Sequence, residues 1–321
     1  MSRIVVLRAL GLGDLLCAVP ALRAVRRAFP DGHVLLATPR ALAPIASLSG
    51  AVDGVLDARP LRPLPPGAHG ATVAINLHGS GPESHGVLLD AAPQRLIAFR
   101  HPDVPASGDG PPWPDDEHER ARWCRLLEHA GIEADPEDLE LDARGLGRLP
   151  RRGPTTVVHP GAASAARRWP VERWAAVARS ERATGRQVLV TGSPAERPLA
   201  REVAARAALP DRAVVAGRTD VGGLAALVAG ADRVVCGDTG IAHLASALRT
   251  PSVVLFGPVS PRLWGPPPDR AWHRVLWAGR TGDPHAERPD AGLLEIDVVD
   301  VVLALADLPA PAPAPVVSPA S

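Results

Sequence analysis

Four strand-to-helix turns carry the residue types that could handle an anionic ligand. The first is Gly11-Leu12-Gly13-Asp14-Leu15-Leu16, directly after the apolar run Ile4–Leu7. Its two glycines let backbone approach a ligand, but Leu16 stands where a dinucleotide fingerprint needs a third Gly, which counts against a nicotinamide site. Asp14 reads either as a helix N-cap, worth about 1 kcal/mol, or as a carboxylate at the carboxyl end of a strand, where open α/β sheets bind ligands. The second turn runs His159-Pro160-Gly161-Ala162-Ala163-Ser164-Ala165-Ala166-Arg167-Arg168-Trp169-Pro170. Small residues permit close approach there, and Ser164, Arg167 and Arg168 can donate to a phosphate. Charge-assisted bonds of that kind are worth about 1.5–3 kcal/mol each.

The third turn is Gly237-Asp238-Thr239-Gly240-Ile241-Ala242-His243. A helix starting here aims amides of Thr239 and Gly240, and the positive end of its dipole, at anything anionic. Asp238 is a natural cap for that helix. His243, one turn in, either faces the same pocket or packs as a structural histidine. The fourth is Gly192-Ser193-Pro194-Ala195-Glu196, where Glu196 favours its helix dipole or accepts from ribose hydroxyls, as carboxylates do in dinucleotide-binding folds.

Composition limits the chemistry. All 35 basic residues are Arg, balanced by 35 acidic ones, and Lys is absent. Schiff-base chemistry and a Walker A site both need Lys and are excluded. Zero net charge argues against a protein that coats nucleic acid. Cys17, Cys124 and Cys236 are far apart with no CxxC pair, so neither a disulfide framework nor a zinc site is indicated. There is no Asp-x-Asp, HExxH or clustered His/Cys set, and no metal is expected. Charged residues interrupt the apolar stretch 4–29, so neither a spanning helix nor a signal peptide is expected. The chain reads as cytoplasmic, with the arginines at 23–27 a solvated helix face or a contact with the inner face of a membrane.

These turns need a scaffold of alternating strands and helices. Ile4–Leu7, His33–Ala37, Thr72–Leu77 and Arg95–Phe99 read as buried parallel strands, with helices from the Gly-Asp turn to Phe29 and over Glu117–Ala130. Residues 145–154 have linker composition. The pattern then restarts with strands Thr155–His159, Gln187–Val190, Arg233–Cys236 and Ser252–Phe256. Helices are expected over Val171–Ser180 (Pro170 at its first position), Glu196–Ala208, Leu224–Ala229 and Ile241–Leu248. The expected fold is α/β, two doubly wound Rossmann-like domains, 1–150 and 151–307, followed by a disordered Pro/Ala tail at 308–321.

In this order the motifs resemble glycosyltransferase family 9, the heptosyltransferase-like group of inverting GT-B enzymes. The residues that carry the resemblance are Leu7-Arg8-Ala9-Leu10-Gly11-Leu12-Gly13-Asp14, His78-Gly79-Ser80, His159-Pro160-Gly161 with Arg167-Arg168-Trp169-Pro170, and Asp238-Thr239-Gly240-Ile241-Ala242-His243. Leu255-Phe256-Gly257-Pro258 and Trp264-Gly265-Pro266 complete it, and together they span residues 3–303.

The resemblance implies an acceptor-binding first half, a nucleotide-sugar-binding second half and a cleft between them. By it Asp14 is the general base beside Gly13, and Glu196 is the ribose partner. His159, Ser164, Asp238, Thr239, Gly240 and His243 belong to the donor site. The family usually has Lys near the donor diphosphate; here Arg167 or Arg168 must serve. The implied activity is metal-independent inverting transfer of a heptose-like sugar, with no cofactor and an ADP-sugar as substrate. The acceptor would be a glycan or glycolipid of the cell envelope. The alternatives are a sugar-nucleotide epimerase of similar architecture and a nucleotide-sugar binding module without transfer activity.

Overall fold

A computed structural model describes residues 2–146 and 153–309. The first half contains β1 (Arg3–Leu7), α1 (Leu12–Ala28), β2 (His33–Thr38), α2 (Ala43–Leu48), β3 (Gly54–Asp57), β4 (Val73–Asn76), α3 (Glu83–Leu89), β5 (Leu96–Ile97) and α4 (Glu119–His129). The second half contains β6 (Thr155–His159), α5 (Val171–Ala183), β7 (Gln187–Val190), α6 (Arg197–Arg206), α7 (Val221–Gly230), β8 (Arg233–Gly237) and α8 (Gly240–Ala247). It closes with β9 (Ser252–Leu255), α9 (Pro261–Trp264), β10 (His273–Leu276), α10 (Ala291–Glu295) and α11 (Val298–Ala306). Among the described residues these strands form two parallel sheets, ordered β3-β2-β1-β4-β5 and β10-β9-β8-β6-β7.

Each order reverses once, between β1 and β4 in the first sheet and between β6 and β8 in the second. A crevice opens at such a switch point because the two connections leave toward opposite faces. Leu7 pairs with Asn76 at the end of β1 and β4, and His159 pairs with Cys236 at the end of β6 and β8. The four turns singled out above all leave carboxyl ends of strands, three of them at these crevices.

The two halves share a core. One apolar cluster runs from Ile4, Leu15, Leu22 and Trp123 through to Val157, Cys236, Ile241 and Leu244. Its centre is α1, which packs against both α4 and α8. Cys17, Cys124 and Cys236 are all buried and free. On α1, Arg23 and Arg27 pair with Asp138, and Arg26 pairs with Asp53.

Several boundaries differ from expectation. β3 and β10 were not expected; both are edge strands, incompletely buried, so their apolar signal is diluted. Pro170 is the N-cap of α5, which starts at Val171. Glu196 ends the 3-10 turn Pro194–Glu196, and α6 starts after it at Arg197. α4 starts at Glu119, two residues late, because His118 caps it by accepting the Arg120 N–H at 3.1 Å. Leu308 packs on the second-half core, while tail residues 310–321 and linker residues 147–152 lie outside the described residues.

The N-termini of α1 and α8 meet at two glycines, Gly13 and Gly240. A Cβ on Gly240 would lie 3.0 Å from Leu12 Cβ and 3.1 Å from the Gly13 nitrogen, and a Cβ on Gly13 would lie 3.0 Å from His243 Cδ2. Backbone cannot yield as a flexible side chain does, and overpacking costs about 1–3 kcal/mol. Gly240→Ala should therefore lower the melting temperature. Gly86→Ala, inside α3 with nothing within 4 Å of its Cβ, should raise stability by about 0.5–1 kcal/mol. Thermal denaturation of both variants checks this; a Gly240→Ala protein as stable as the parent contradicts the close contact.

Candidate active site

On the first half, the site begins where β1 ends. Gly11, with extended backbone, is the N-cap of α1, and Asp14 is the helix's third residue. Asp14 is therefore not the cap. Its Oδ2 accepts the Gly11 N–H at 3.0 Å, satisfying one of the amides a helix start leaves free. Its Oδ1 lies 3.4 Å from the Arg8 guanidinium, and the side chain is 30% exposed. Nearby, His78 Nδ1 accepts the Ala9 N–H at 3.2 Å. Burial and the Arg8 charge push the His78 imidazole down to about 4, so it is neutral at pH 7.

On the second half, three turns leave three neighbouring strands. At β8, Asp238 is buried and its Oδ2 lies 3.7 Å from Arg167. Burial raises its carboxyl to about 6, with Arg167 opposing the rise. Asp238 does not cap α8: that position belongs to Thr239, whose side chain makes no capping bond. The reason is that Asp238 points toward Arg167 and its own N–H donates to the Leu255 carbonyl at 3.0 Å. The first amides of α8 have no partner within the helix, and Gly240 packs against Leu12 and Gly13 at the start of α1.

At β6, Ser164 caps the 3-10 turn Ala165–Arg167 by accepting the Ala166 N–H at 3.2 Å. The two arginines diverge. Arg167 turns to Asp238, whereas Arg168 donates through Nε to the Ala162 carbonyl at 2.9 Å and braces the loop. His159 Nδ1 meets Thr191 Oγ1 at 2.9 Å, and burial pushes its imidazole below the usual range.

At β7, the Glu196 carboxylate accepts the Ser193 N–H at 2.7 Å. Burial works to raise it, but the Ser193 hydrogen bonds and the charges of His159 and Arg168 hold it below the usual carboxylate range. A Cβ on Gly161 would collide with Glu196 Oε1 at 2.1 Å, so a glycine there makes room for the carboxylate beside the β6 turn.

The expected residues thus fall into three groups. Gly13, Asp14, Thr239, Gly240 and His243 gather where the halves meet. Arg167 and Asp238 form a pair beside them. His159 ends β6, Ser164 and Arg168 lie in the same turn after it as Arg167, and Glu196 lies one strand further on, after β7. His243 packs toward α1, its Nδ1 3.5 Å from Cys17 Sγ and its ring 6.0 Å from that of Trp264. Burial, then the charges of His118, Arg120 and Arg8, push it to about 3, so it is a neutral packing and hydrogen-bonding group.

Sequence reasoning missed the partners of Arg8. That guanidinium is 1% exposed and bonds Glu119 Oε1 at 2.7 Å, 111 residues away. A charged residue directly after a buried strand was the available signal; no spacing could locate Glu119. Among the described residues no three His, Cys, Asp or Glu side chains group as metal ligands would. No helix of the described residues is long and apolar enough to cross a membrane.

Two Rossmann-like halves with their switch points opposed across one crevice define the GT-B arrangement. Comparison with known proteins agrees. Residues 114–290 match the model of glycosyltransferase family 9 (heptosyltransferase). The lipooligosaccharide heptosyltransferase 2 of Haemophilus influenzae is 34% identical over 111 residues, 33% of this chain and 32% of that protein. The lipopolysaccharide heptosyltransferase 1 of Pseudomonas aeruginosa is 36% identical over 129 residues, 40% of this chain and 36% of that one. These sequence matches span about a third of the curated relatives' length.

The fold match is longer. The glycosyl transferase family 9 structure from Veillonella parvula superposes with a TM-score of 0.78 at 20% identity, covering 95% of this chain and 96% of that one. The Escherichia coli ADP-heptose LPS heptosyltransferase II gives 0.76 at 21% identity, with 95% and 98% covered. The chain belongs to glycosyltransferase family 9.

The Asp238 carboxyl gives a pH signature. Its value is 3.8 when unconstrained and about 6 in the fold, so between these pH values the folded state holds the extra proton. Asp238's contribution is thus most favourable below pH 4 and is lost as pH rises through 6. Asp238→Asn should gain stability relative to the parent as pH rises from 4 to 6.5, read by denaturant melts at each pH. A difference that stays constant across that range contradicts the buried, proton-holding carboxyl.

Proposed function

We propose that this chain transfers a heptose-like sugar, with inversion, from an ADP-linked donor to a hydroxyl of a glycan or glycolipid acceptor. The observation that carries the reading is the placing of one partly exposed carboxylate, Asp14, beside the N-terminus of α8 from the other half. Residues 1–150 would hold the acceptor and residues 151–307 the donor. ADP-heptose is the donor suggested by the names of the related structures, among them the E. coli heptosyltransferase WaaC solved with ADP-2-deoxy-2-fluoro heptose.

The three second-half turns suit a nucleoside diphosphate laid along the sheet edge. Neighbouring strands are about 4.8 Å apart, so the turns after β8, β6 and β7 cover about 10 Å. Glu196 would accept from the ribose hydroxyls, while Arg167, Ser164 and the Thr239 and Gly240 amides would hold the diphosphate.

In the reaction the acceptor oxygen attacks the anomeric carbon from the Asp14 side. A carbon–oxygen bond forms there as the bond to the diphosphate oxygen breaks, and its electron pair leaves with ADP. The acceptor proton passes to an Asp14 oxygen and then to water. Charge developing on the diphosphate falls on the α8 amides and Arg167. Carboxylates are weak bases toward alcohols, so the proton moves as the forming carbon–oxygen bond makes the acceptor hydroxyl acidic.

Asp14→Asn should lower ADP release from ADP-heptose plus acceptor by about 10²–10⁴-fold while donor affinity, measured by calorimetry, stays close to the parent's. Surviving turnover contradicts the base assignment, and isomerised sugar from donor alone would establish the epimerase instead. A second experiment separates the arginines. Arg167→Leu should weaken ADP binding by about ten- to a hundredfold, the loss of one charge-assisted bond, whereas Arg168→Leu should act chiefly through loop stability. Equal ADP affinity in Arg167→Leu and the parent contradicts the phosphate role.

A further inference from the structure

We propose that Arg8 is the positioning residue for Asp14, and that Glu119 sets how much of the Arg8 charge Asp14 feels. This inference rests on the reading of Asp14 as the base.

The geometry is that of a hub. Arg8 is fully enclosed at the end of β1. Its Nε donates to the Asp14 backbone carbonyl at 3.0 Å, which fixes the first turn of α1, and one terminal nitrogen donates to the Leu77 carbonyl at the end of β4. The other terminal nitrogen is shared. It lies 2.7 Å from Glu119 Oε1 and 3.4 Å from Asp14 Oδ1. Glu119 is itself enclosed and held from its far side, with Trp123 Nε1 donating to Oε1 at 2.9 Å and Arg122 donating to Oε2. Arg8 also lies over the Trp123 ring, 4.9 Å from its centroid. A planar guanidinium with fixed forks, tied at four places, cannot follow Asp14 if Asp14 turns. The Gly11 amide holds Asp14 Oδ2 at 3.0 Å, and this rigid neighbour fixes where Oδ1 points.

The short contact goes to Glu119 and the long one to Asp14. Two carboxylates share one cation, and Glu119 takes the larger part. A carboxylate facing an unshared Arg at hydrogen-bond distance becomes a poorer base. Sharing leaves Asp14 oriented but still able to accept a proton.

The other titratable groups around this turn are close to silent at neutral pH. From β4, His78 is held neutral at about 4, from α8 His243 at about 3, and His118 before α4 at about 4. Burial pushes the Cys17 thiol up on α1. The charges left are Arg8, Glu119 and, on α4, Arg120 and Arg122. Arg122 is engaged by Glu119 and Arg120 by Glu137.

The test titrates Asp14 directly. In protein carrying ¹³Cγ-labelled Asp, the resonance lost in Asp14→Asn identifies the group, and its shift is followed against pH. Glu119→Gln keeps an oxygen for Trp123 but removes the competing charge. It should lower the Asp14 midpoint by about half a unit or more and reduce kcat with the donor KM unchanged. Arg8→Gln should raise the midpoint. If burial of an unpaired Glu119 prevents that variant from folding, the double variant Arg8→Gln/Glu119→Gln replaces it, and its midpoint should lie above that of Glu119→Gln.

Midpoints that coincide in the parent, Glu119→Gln and the double variant overturn the proposal, and so does a Glu119→Gln midpoint that rises. A merely structural role would lower the melting temperature and leave the midpoints in place. The base reading fails separately, through turnover in Asp14→Asn, and the titration judges the positioning claim whichever way that assay falls.

Discussion

The structure depends on two helix N-termini brought into backbone contact. α1 and α8 start at the switch points of different sheets, and they meet through Gly13 and Gly240. Like ends of two helix dipoles repel, each carrying about half a positive charge. The fold offsets this with a carboxylate, Asp14, at the third position of α1, while the amides at the start of α8 add to the local demand for negative charge. Binding and stability are thereby coupled: the contact that joins the halves is also a place where negative charge is wanted. The shared apolar core behind it, α1 against α4 and α8, holds the two starts together.

The absence of Lys shapes the rest of the site. With Arg alone, any cation at the proposed diphosphate site would come as a planar fork with several donors rather than as a compact ammonium. The adjacent pair separates its tasks. Arg168 spends its Nε on the loop carbonyl of Ala162, and Arg167 reaches the buried Asp238. A carboxyl raised to about 6 is still mostly ionised at neutral pH, so Asp238 is a charged partner for Arg167, but at 3.7 Å the pair is a loose one. In the proposed reading a donor phosphate would share that guanidinium.

Much of this was legible in the sequence because short apolar runs, glycine turns and amphipathic stretches are local signals. Strands β1, β2, β4, β6, β7, β8 and β9 fall where their apolar runs lie, and four of the turns after them carry the candidate site residues. Of the four edge strands, β5 and β7 were legible but β3 and β10 were not, since their residues are mostly part-exposed and the apolar pattern is diluted. Cap assignments slipped because a cap is defined by backbone angles: Asp14 and Asp238 have the right side chains, yet Gly11 and Thr239 hold those positions. The Arg8–Glu119 contact is invisible to any local reading. It joins the end of the first strand to a helix 111 residues later, and only the packed core brings them together.

The central claim is that one nucleotide spans the second sheet's carboxyl edge and ends at the junction with α1. A crystal structure with ADP tests it most directly. The account predicts the β-phosphate within hydrogen-bond distance of the Thr239 and Gly240 amides and of Arg167, with the ribose against Glu196. A nucleotide seated in the first half, or with its diphosphate away from the start of α8, would contradict it.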